Sequence, residues 1–343
     1  NAHSYLLTKV YLNSDGEMVQ SPGEDKFIPK IIKITNSEFE ALKENLVRPF
    51  KLEKGRLFRA EIYLTEDKKY LFTDFHHIIA DGNSYDIIFE DINKAYRGEK
   101  LESETYTGFD AALDEEQQMK EGKYKKAEKY YDSIFGEVET ESLPLPDCAG
   151  KVPEKGYLER KLNIKEDTIL SSCEKFGVTP NVLFTGLFGI LMAKYSNSED
   201  SLFATIYNGR NDSRLSETVG MLVKTLPVYT DFAGSLKDGL LAVQQQLIDS
   251  MNNDIYPFSQ ISHEFNIKAD AMVIYQGDNF AFDTIGGEYA QEEPISLNAA
   301  KAPVSISISI DRNKFVFEIE YRGDMYYEDT MKYLADNLEI AAG

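Results

Sequence analysis

Apolar positions along the chain follow two spacings. Val10-Tyr11-Leu12 and Met18-Val19-Gln20 flank the turn sequence Asn13-Ser14-Asp15-Gly16, which predicts a hairpin. Phe39, Leu42 and Leu46 recur at intervals of three and four within 37–47, a helical period. Two apolar-rich runs, 57–64 and 70–75, read as strands around the polar turn 65–69. After Gly82, Asn83 or Ser84 is positioned to cap a helix. That helix presents Ile87, Ile88, Ile92 and Tyr96 and ends near Gly98; 122–135 reads as another helix.

The second half repeats the mixture. Residues 157–162 read as a strand and 165–176 as a helix. Thr179 and Pro180 have the chemistry of a cap and a first helical turn. Phe184, Leu187, Phe188, Leu191 and Met192 follow, apolar on most sides, so this helix belongs in the centre of a core. A strand at 202–207 leads to Asn208-Gly209-Arg210; a strand at 219–229 and a helix at 236–251 follow. Strands at 272–275, 304–310 and 315–321 and a helix at 328–341 complete the chain. In 304–310, Ser305, Ser307 and Ser309 alternate with isoleucine and line one face. Strands and helices are intermixed in both halves, which predicts an α+β fold. The stretch 137–156 is acid-flanked and holds Pro144, Pro146 and Pro153; it reads as a linker, dividing the chain into lobes 1–150 and 151–343.

Composition narrows the class. At 343 residues and 42% hydrophobic content, the chain is long enough for two lobes with real cores. Its net charge of -21 repels polyphosphate and anionic lipid, so neither nucleic acid nor a membrane is an expected partner. No apolar run reaches the length of a bilayer span and no signal peptide is visible. The basic run from Lys123 to Lys129 reads as the solvated face of a helix. The two cysteines, Cys148 and Cys173, fit neither a metal site nor a disulfide framework, in keeping with a reducing cytoplasm.

The chemistry concentrates in Phe75-His76-His77-Ile78-Ile79-Ala80-Asp81-Gly82, which holds two of the chain's four histidines. It puts imidazoles at a strand end, an acid able to anchor the loop, and a residue without a side chain. Acyl transfer to an amine or hydroxyl needs such parts: a proton acceptor, a fixed orientation and room for a thioester arm.

This run resembles the His-His-x-x-x-Asp-Gly motif of the condensation domains of nonribosomal peptide synthetases, relatives of chloramphenicol acetyltransferase. Further segments fall in the same order. His3-Ser4-Tyr5-Leu6 with Thr8-Lys9 resembles the end of an early motif, and Tyr106-Thr107-Gly108-Phe109 loosely matches a Tyr-x-x-aromatic motif. Gly209-Arg210 and Val219-Gly220-Met221-Leu222-Val223-Lys224-Thr225-Leu226-Pro227 resemble the family's Gly-Arg and Val-Gly-x-x-Val-Asn-Thr-x-Pro segments, with Lys224 in place of Asn. Asn253-Asp254-Ile255-Tyr256-Pro257-Phe258 resembles the family's Tyr-Pro-Phe segment.

The resemblance implies two acetyltransferase-like lobes in a V with the active-site tunnel between them, the N-terminal lobe truncated at its start inside the early motif. It implies amide-bond formation between a donor acyl or peptidyl thioester and an acceptor aminoacyl group. Both would ride on the phosphopantetheine arms of upstream and downstream carrier domains, with an adenylation domain adjacent and no intrinsic cofactor or metal. It carries the active-site role to His77, as a base or as a positioner of the amine. His76 would be structural, since strand alternation turns it to the other face. Asp81 would pair with Arg210 and join the His loop to the second lobe, and Gly82 would give the arm passage. An epimerization domain has the same His motif, but Asn208-Gly209-Arg210 lacks the Glu and His that precede its arginine. A cyclization domain carries aspartates for the histidines. A stand-alone acyltransferase using CoA or carrier thioesters, or a degenerate carrier-recruiting scaffold, is the alternative.

Overall fold

The computed structural model describes residues 2–24, 26–138, 143–150, 154–268, 270–278, 284–291, 293, 295, 300 and 302–343. Asn1, and Pro153 of the expected linker, lie outside the described residues.

The hairpin forms as β1 (Lys9–Leu12) and β2 (Met18–Ser21), closed by Asn13, whose side-chain oxygen accepts from Asp15 N and Glu17 N at 3.0 and 2.9 Å. Strand β3 (Lys30–Lys33) precedes α1 (Asn36–Lys43). Thr35 and Glu38 form a reciprocal capping box on α1, and Phe39 is its buried residue. Strands β4 (Phe58–Leu64) and β5 (Lys69–Phe75) pair antiparallel, with β3 parallel to β4, giving a sheet ordered β3-β4-β5. Then come α2 (Gly82–Tyr96) and α3 (Gly108–Lys120). The polar sequence of α3 gave no apolar period to read. It starts where Thr107 and Asp110 bond reciprocally, side chain to backbone.

The chain continues with α4 (Lys123–Phe135), β6 (Lys155–Lys161), α5 (Glu166–Phe176), α6 (Pro180–Tyr195) and β7 (Asp200–Tyr207). Next are β8 (Lys224–Asp231), α7 (Leu236–Asn252), α8 (Phe258–Phe265) and β9 (Ala271–Asp278). A two-residue hairpin, β10 (Thr284–Ile285) and β11 (Glu288–Tyr289), precedes β12 (Val304–Asp311), β13 (Lys314–Arg322) and α9 (Glu328–Ala342). Six of these strands form one mixed sheet in the order β6-β13-β12-β9-β7-β8, with β9 parallel to both β12 and β7. Val304, Ile306 and Ile308 alternate into the core that this sheet shares with α5, α6, α7 and α9. Ser305, Ser307 and Ser309 stand on the opposite face. Helix α6 is apolar on most sides because it is central: Phe184, Leu187, Phe188 and Met192 are all buried in that core.

By packing, the chain divides into two compact units: Asn1–Gln117, Arg210–Val223 and Phe280–Ser296 form the first, and Gln118–Gly209, Lys224–Asn279 and Leu297–Gly343 the second. These units are discontinuous, unlike the division at 150 read from sequence. Helix α4 lies with the second unit because Ala127, Tyr131 and Phe135 pack with Ile255, Tyr256 and Ile261. The described part of the expected linker is tied down there too: Leu145 N donates to Tyr195 O at 3.2 Å and Gly150 N to Asp324 O at 2.8 Å. Lys125, Lys126 and Lys129 fall on the outward side of α4, as the basic run predicted.

The expected strand 219–229 exists only from Lys224 onward. Val219, Met221 and Val223 mimic strand alternation, but the backbone of 219–222 bonds to side chains of the first unit, as described next.

Candidate active site

Strand β5 delivers the motif to the edge of its sheet. His76 N donates to Leu57 O at 2.7 Å, and Ile79 N then closes a turn on His76 O at 3.0 Å. Ile79 and Ala80 are fully buried and pin the loop, leaving His77 exposed at its turn. The two histidines lie beyond the strand, so the turn separates their rings rather than strand alternation. His76 Nδ1 accepts from Ile78 N at 3.1 Å, and its ring edge meets Phe50 at a centroid distance of 5.9 Å.

His77 Nδ1 lies 2.9 Å from Ala80 O. A carbonyl only accepts, so Nδ1 carries the proton and, in the neutral ring, Nε2 holds the lone pair. Among the described residues Nε2 has no hydrogen-bond partner. The loop therefore fixes both the tautomer and the direction of an available proton acceptor.

Asp81 is fully buried and caps α2, its Oδ1 accepting from Ser84 N at 3.0 Å. This corrects the expectation that Asn83 or Ser84 is the cap. The Ser84 hydroxyl is instead engaged between Asp81 Oδ1 at 2.8 Å and Gly220 O at 3.0 Å, while accepting from Gly220 N at 3.1 Å. Arg210, almost equally buried, meets Asp81 with its fork: Nη1 to Oδ2 at 2.9 Å and Nη2 to Oδ1 at 3.0 Å. Leu222 N adds a bond to Oδ2 at 3.0 Å, and Arg210 Nη2 also donates to Thr218 O at 3.1 Å. Burial pushes the Asp81 carboxyl up, but the Arg210 bonds and charge, Leu222 N–H and Ser84 outweigh it and hold it below the usual carboxylate range. An ionised, fully bonded carboxylate has no lone pair to spare for a substrate proton. The pair lies wholly within the first unit, to which Arg210–Val223 belongs.

Gly82 opens α2, is exposed, and a Cβ built there would meet nothing within 4 Å. Neither backbone nor packing in this chain requires a glycine at that position. One turn on, Asp86 is a half-buried acid. Burial raises its pKa, Arg210 opposes that rise, and the Asp81 charge adds to it. Lys224, the departure from the family's Asn, begins β8 opposite Tyr207 and is half-buried.

Among the described residues no cluster of His, Cys, Asp and Glu is arranged to hold a metal ion, and no single helix is long and apolar enough to cross a membrane.

The large mixed sheet with its helical cover, and the second small sheet carrying the His loop, define an α+β fold shared with several solved structures. It is similar to the X-domain in a complex with OxyB from teicoplanin biosynthesis (TM-score 0.83, 17% identity, 99% of this chain and 82% of that chain). It is similar also to the epimerization domain of the third module of tyrocidine synthetase B (0.77, 17%, 99% and 84%) and to the first condensation domain of the CDA synthetase (0.76, 12%, 99% and 84%). The family model for the condensation domain matches residues 3–341, and the chain belongs to that family. Its curated relatives include bacitracin synthase 1 of Bacillus licheniformis, 26% identical over 340 residues (94% of this chain, 6% of the relative). Gramicidin S synthase 2 of Aneurinibacillus migulanus is 25% identical over 321 residues (88% and 7%). The chain thus spans less than a tenth of the length of these two relatives.

Proposed function

We propose that this chain is a peptide-bond-forming acyltransferase: it joins a donor acyl or peptidyl thioester to the amino group of an acceptor, both carried on phosphopantetheine arms. The observation that carries this reading is His77, exposed at its turn with Nδ1 bonded to Ala80 O, beside an Asp81 locked to Arg210. As the new C–N bond forms and the C–S bond breaks, the amine loses a proton and the donor carrier leaves as a thiol. In this reading His77 Nε2 accepts that proton or holds the amine during attack. Gly82 leaves space at the start of α2 for an arm to pass. The partners are upstream and downstream carrier domains, with an adenylation domain adjacent in the parent polypeptide, as the multidomain peptide synthetases among its relatives suggest.

The test is thioester consumption and amide formation by wild type and His77→Ala with carrier-bound substrates. Loss of a general base lowers the rate on the order of 10²–10⁴-fold. A loss of only a few-fold assigns His77 to positioning, and an unchanged rate refutes its role. Asn208 in the position before Gly209-Arg210 favours condensation over epimerization, which the shared fold does not distinguish.

A further inference from the structure

His3 lies nowhere near His77 in sequence, yet its ring is built into the same unit with both nitrogens committed. Nδ1 is 2.8 Å from Glu104 Oε1 and Nε2 is 3.1 Å from Asp91 Oδ2, and the His3 and Glu104 side chains are 10% and 4% exposed. Both ring nitrogens are thus within hydrogen-bond distance of a carboxyl oxygen, and the ring bridges the two acids. Lys94 lies on the far oxygen of Asp91 at 3.0 Å. Glu104 N donates to Ala2 O at 3.1 Å, tying the two segments through the backbone as well.

Glu104 Oε1 does a second task. It accepts from Val219 N at 2.7 Å, while Oε2 is buried without a hydrogen-bond partner among the described residues. Val219 is the first residue of the run whose next backbone groups hold the motif: Gly220 with Ser84, and Leu222 with Asp81. A buried carboxylate with one oxygen unbonded depends on what its other oxygen holds. Without the His3 ring, Glu104 is left buried with Val219 N as its side chain's one hydrogen-bond partner among the described residues, and turning to water becomes favourable.

We propose that His3 is a positioning residue for amide formation: its ring, bridging Asp91 and Glu104, holds Glu104 in place, Glu104 holds Val219, and 219–222 holds the Asp81–Ser84 anchor of the His77 loop. The catalytic part rests on the function proposed above; the structural part does not.

The experiment compares wild type with His3→Gln, which offers one amide donor group, and His3→Arg, whose guanidinium offers several donors. Amide hydrogen exchange is followed at Val219, Leu222 and, as a reference in the same unit, Tyr63 of β4. Turnover is measured with carrier-bound substrates. In His3→Gln, Val219 and Leu222 should exchange on the order of ten-fold faster, as expected for a lost charge-assisted bond, with Tyr63 unchanged. The rate constant kcat should fall by a comparable factor with KM held, and His3→Arg should recover both. Unchanged exchange at Val219, or equal acceleration at Tyr63, would overturn the proposal. Glu104→Gln supplies the same exchange test should His3→Gln not fold. Accelerated exchange with no turnover in wild type would sink the proposed function and the catalytic part of this inference, while retaining the loop anchor.

Discussion

Removing the Asp81 carboxylate is the most informative perturbation of stability. In Asp81→Ala, the buried Arg210 loses the carboxylate that its fork grips, and Leu222 N and Ser84 N lose their acceptor. Breaking a buried pair by removing one partner costs about 3–5 kcal/mol. The helix cap alone accounts for roughly 1 kcal/mol of a loss of this kind. For a unit of this size that corresponds to a fall on the order of 10 °C in unfolding midpoint. The assay is thermal and urea unfolding of wild type, Asp81→Ala, Arg210→Met and the double variant. Because the double variant buries no lone charge, it should be more stable than the sum of the two single losses predicts. The acid limb gives a second reading. Asp81 is held below its ordinary pKa, so its contribution is present above about pH 4 and disappears as pH falls through the depressed folded value. Wild type should lose this increment on acidification, and Asp81→Asn should not. A loss under about 1 kcal/mol in Asp81→Ala, or strict additivity in the cycle, would refute the account of the pair as a buried anchor.

Three further outcomes follow from particular contacts. Gly82→Val should keep the wild-type unfolding midpoint to within a few degrees, because no described residue lies within 4 Å of its Cβ, yet lower amide formation; unchanged turnover would remove Gly82 from the proposed path of the arm. Gly108→Ala should destabilise the first unit by about 1–3 kcal/mol in urea unfolding, because its Cβ would fall 2.7 Å from ring atoms of the buried Tyr5, which packs edge-on with Phe109. Phe184→Ala should cost about 3–5 kcal/mol in the second unit, since the ring is fully buried between α6 and Phe315 and Phe317.

The core elements were readable where burial imposes a period. Helix α6 and the strand around Ile306 and Ile308 declare themselves because one face, or every face, is apolar. Helix α3 did not, because its sequence from Asp110 to Lys120 is mostly polar. The short α8 after Pro257 was missed because eight residues give too few turns for a pattern. Residues 219–222 misled for the opposite reason: their alternating apolar side chains suit a strand, but their backbone is claimed by Glu104, Ser84 and Asp81. The candidate site divides in the same way. Residues 76–82 are contiguous, so their spacing is visible, and Arg210 could be paired with Asp81 only through the family resemblance. Ser84 as a bridge, and His3 with Asp91 and Glu104, depend on partners 88 to 136 positions away. No local pattern encodes such distances.

The central claim is that His77 performs or positions the chemistry of amide formation, and one comparison tests it most directly. Donor and acceptor aminoacyl thioesters on carrier domains are incubated with wild type and with His77→Ala, and amide product is counted alongside the unfolding midpoint. The account predicts product with wild type, a loss in His77→Ala of several-fold if the ring positions the amine and on the order of 10²–10⁴-fold if it is the base, and matching midpoints, because His77 is exposed and, among the described residues, its side chain bonds only to Ala80. Equal turnover in the two proteins, including none in either, would contradict it.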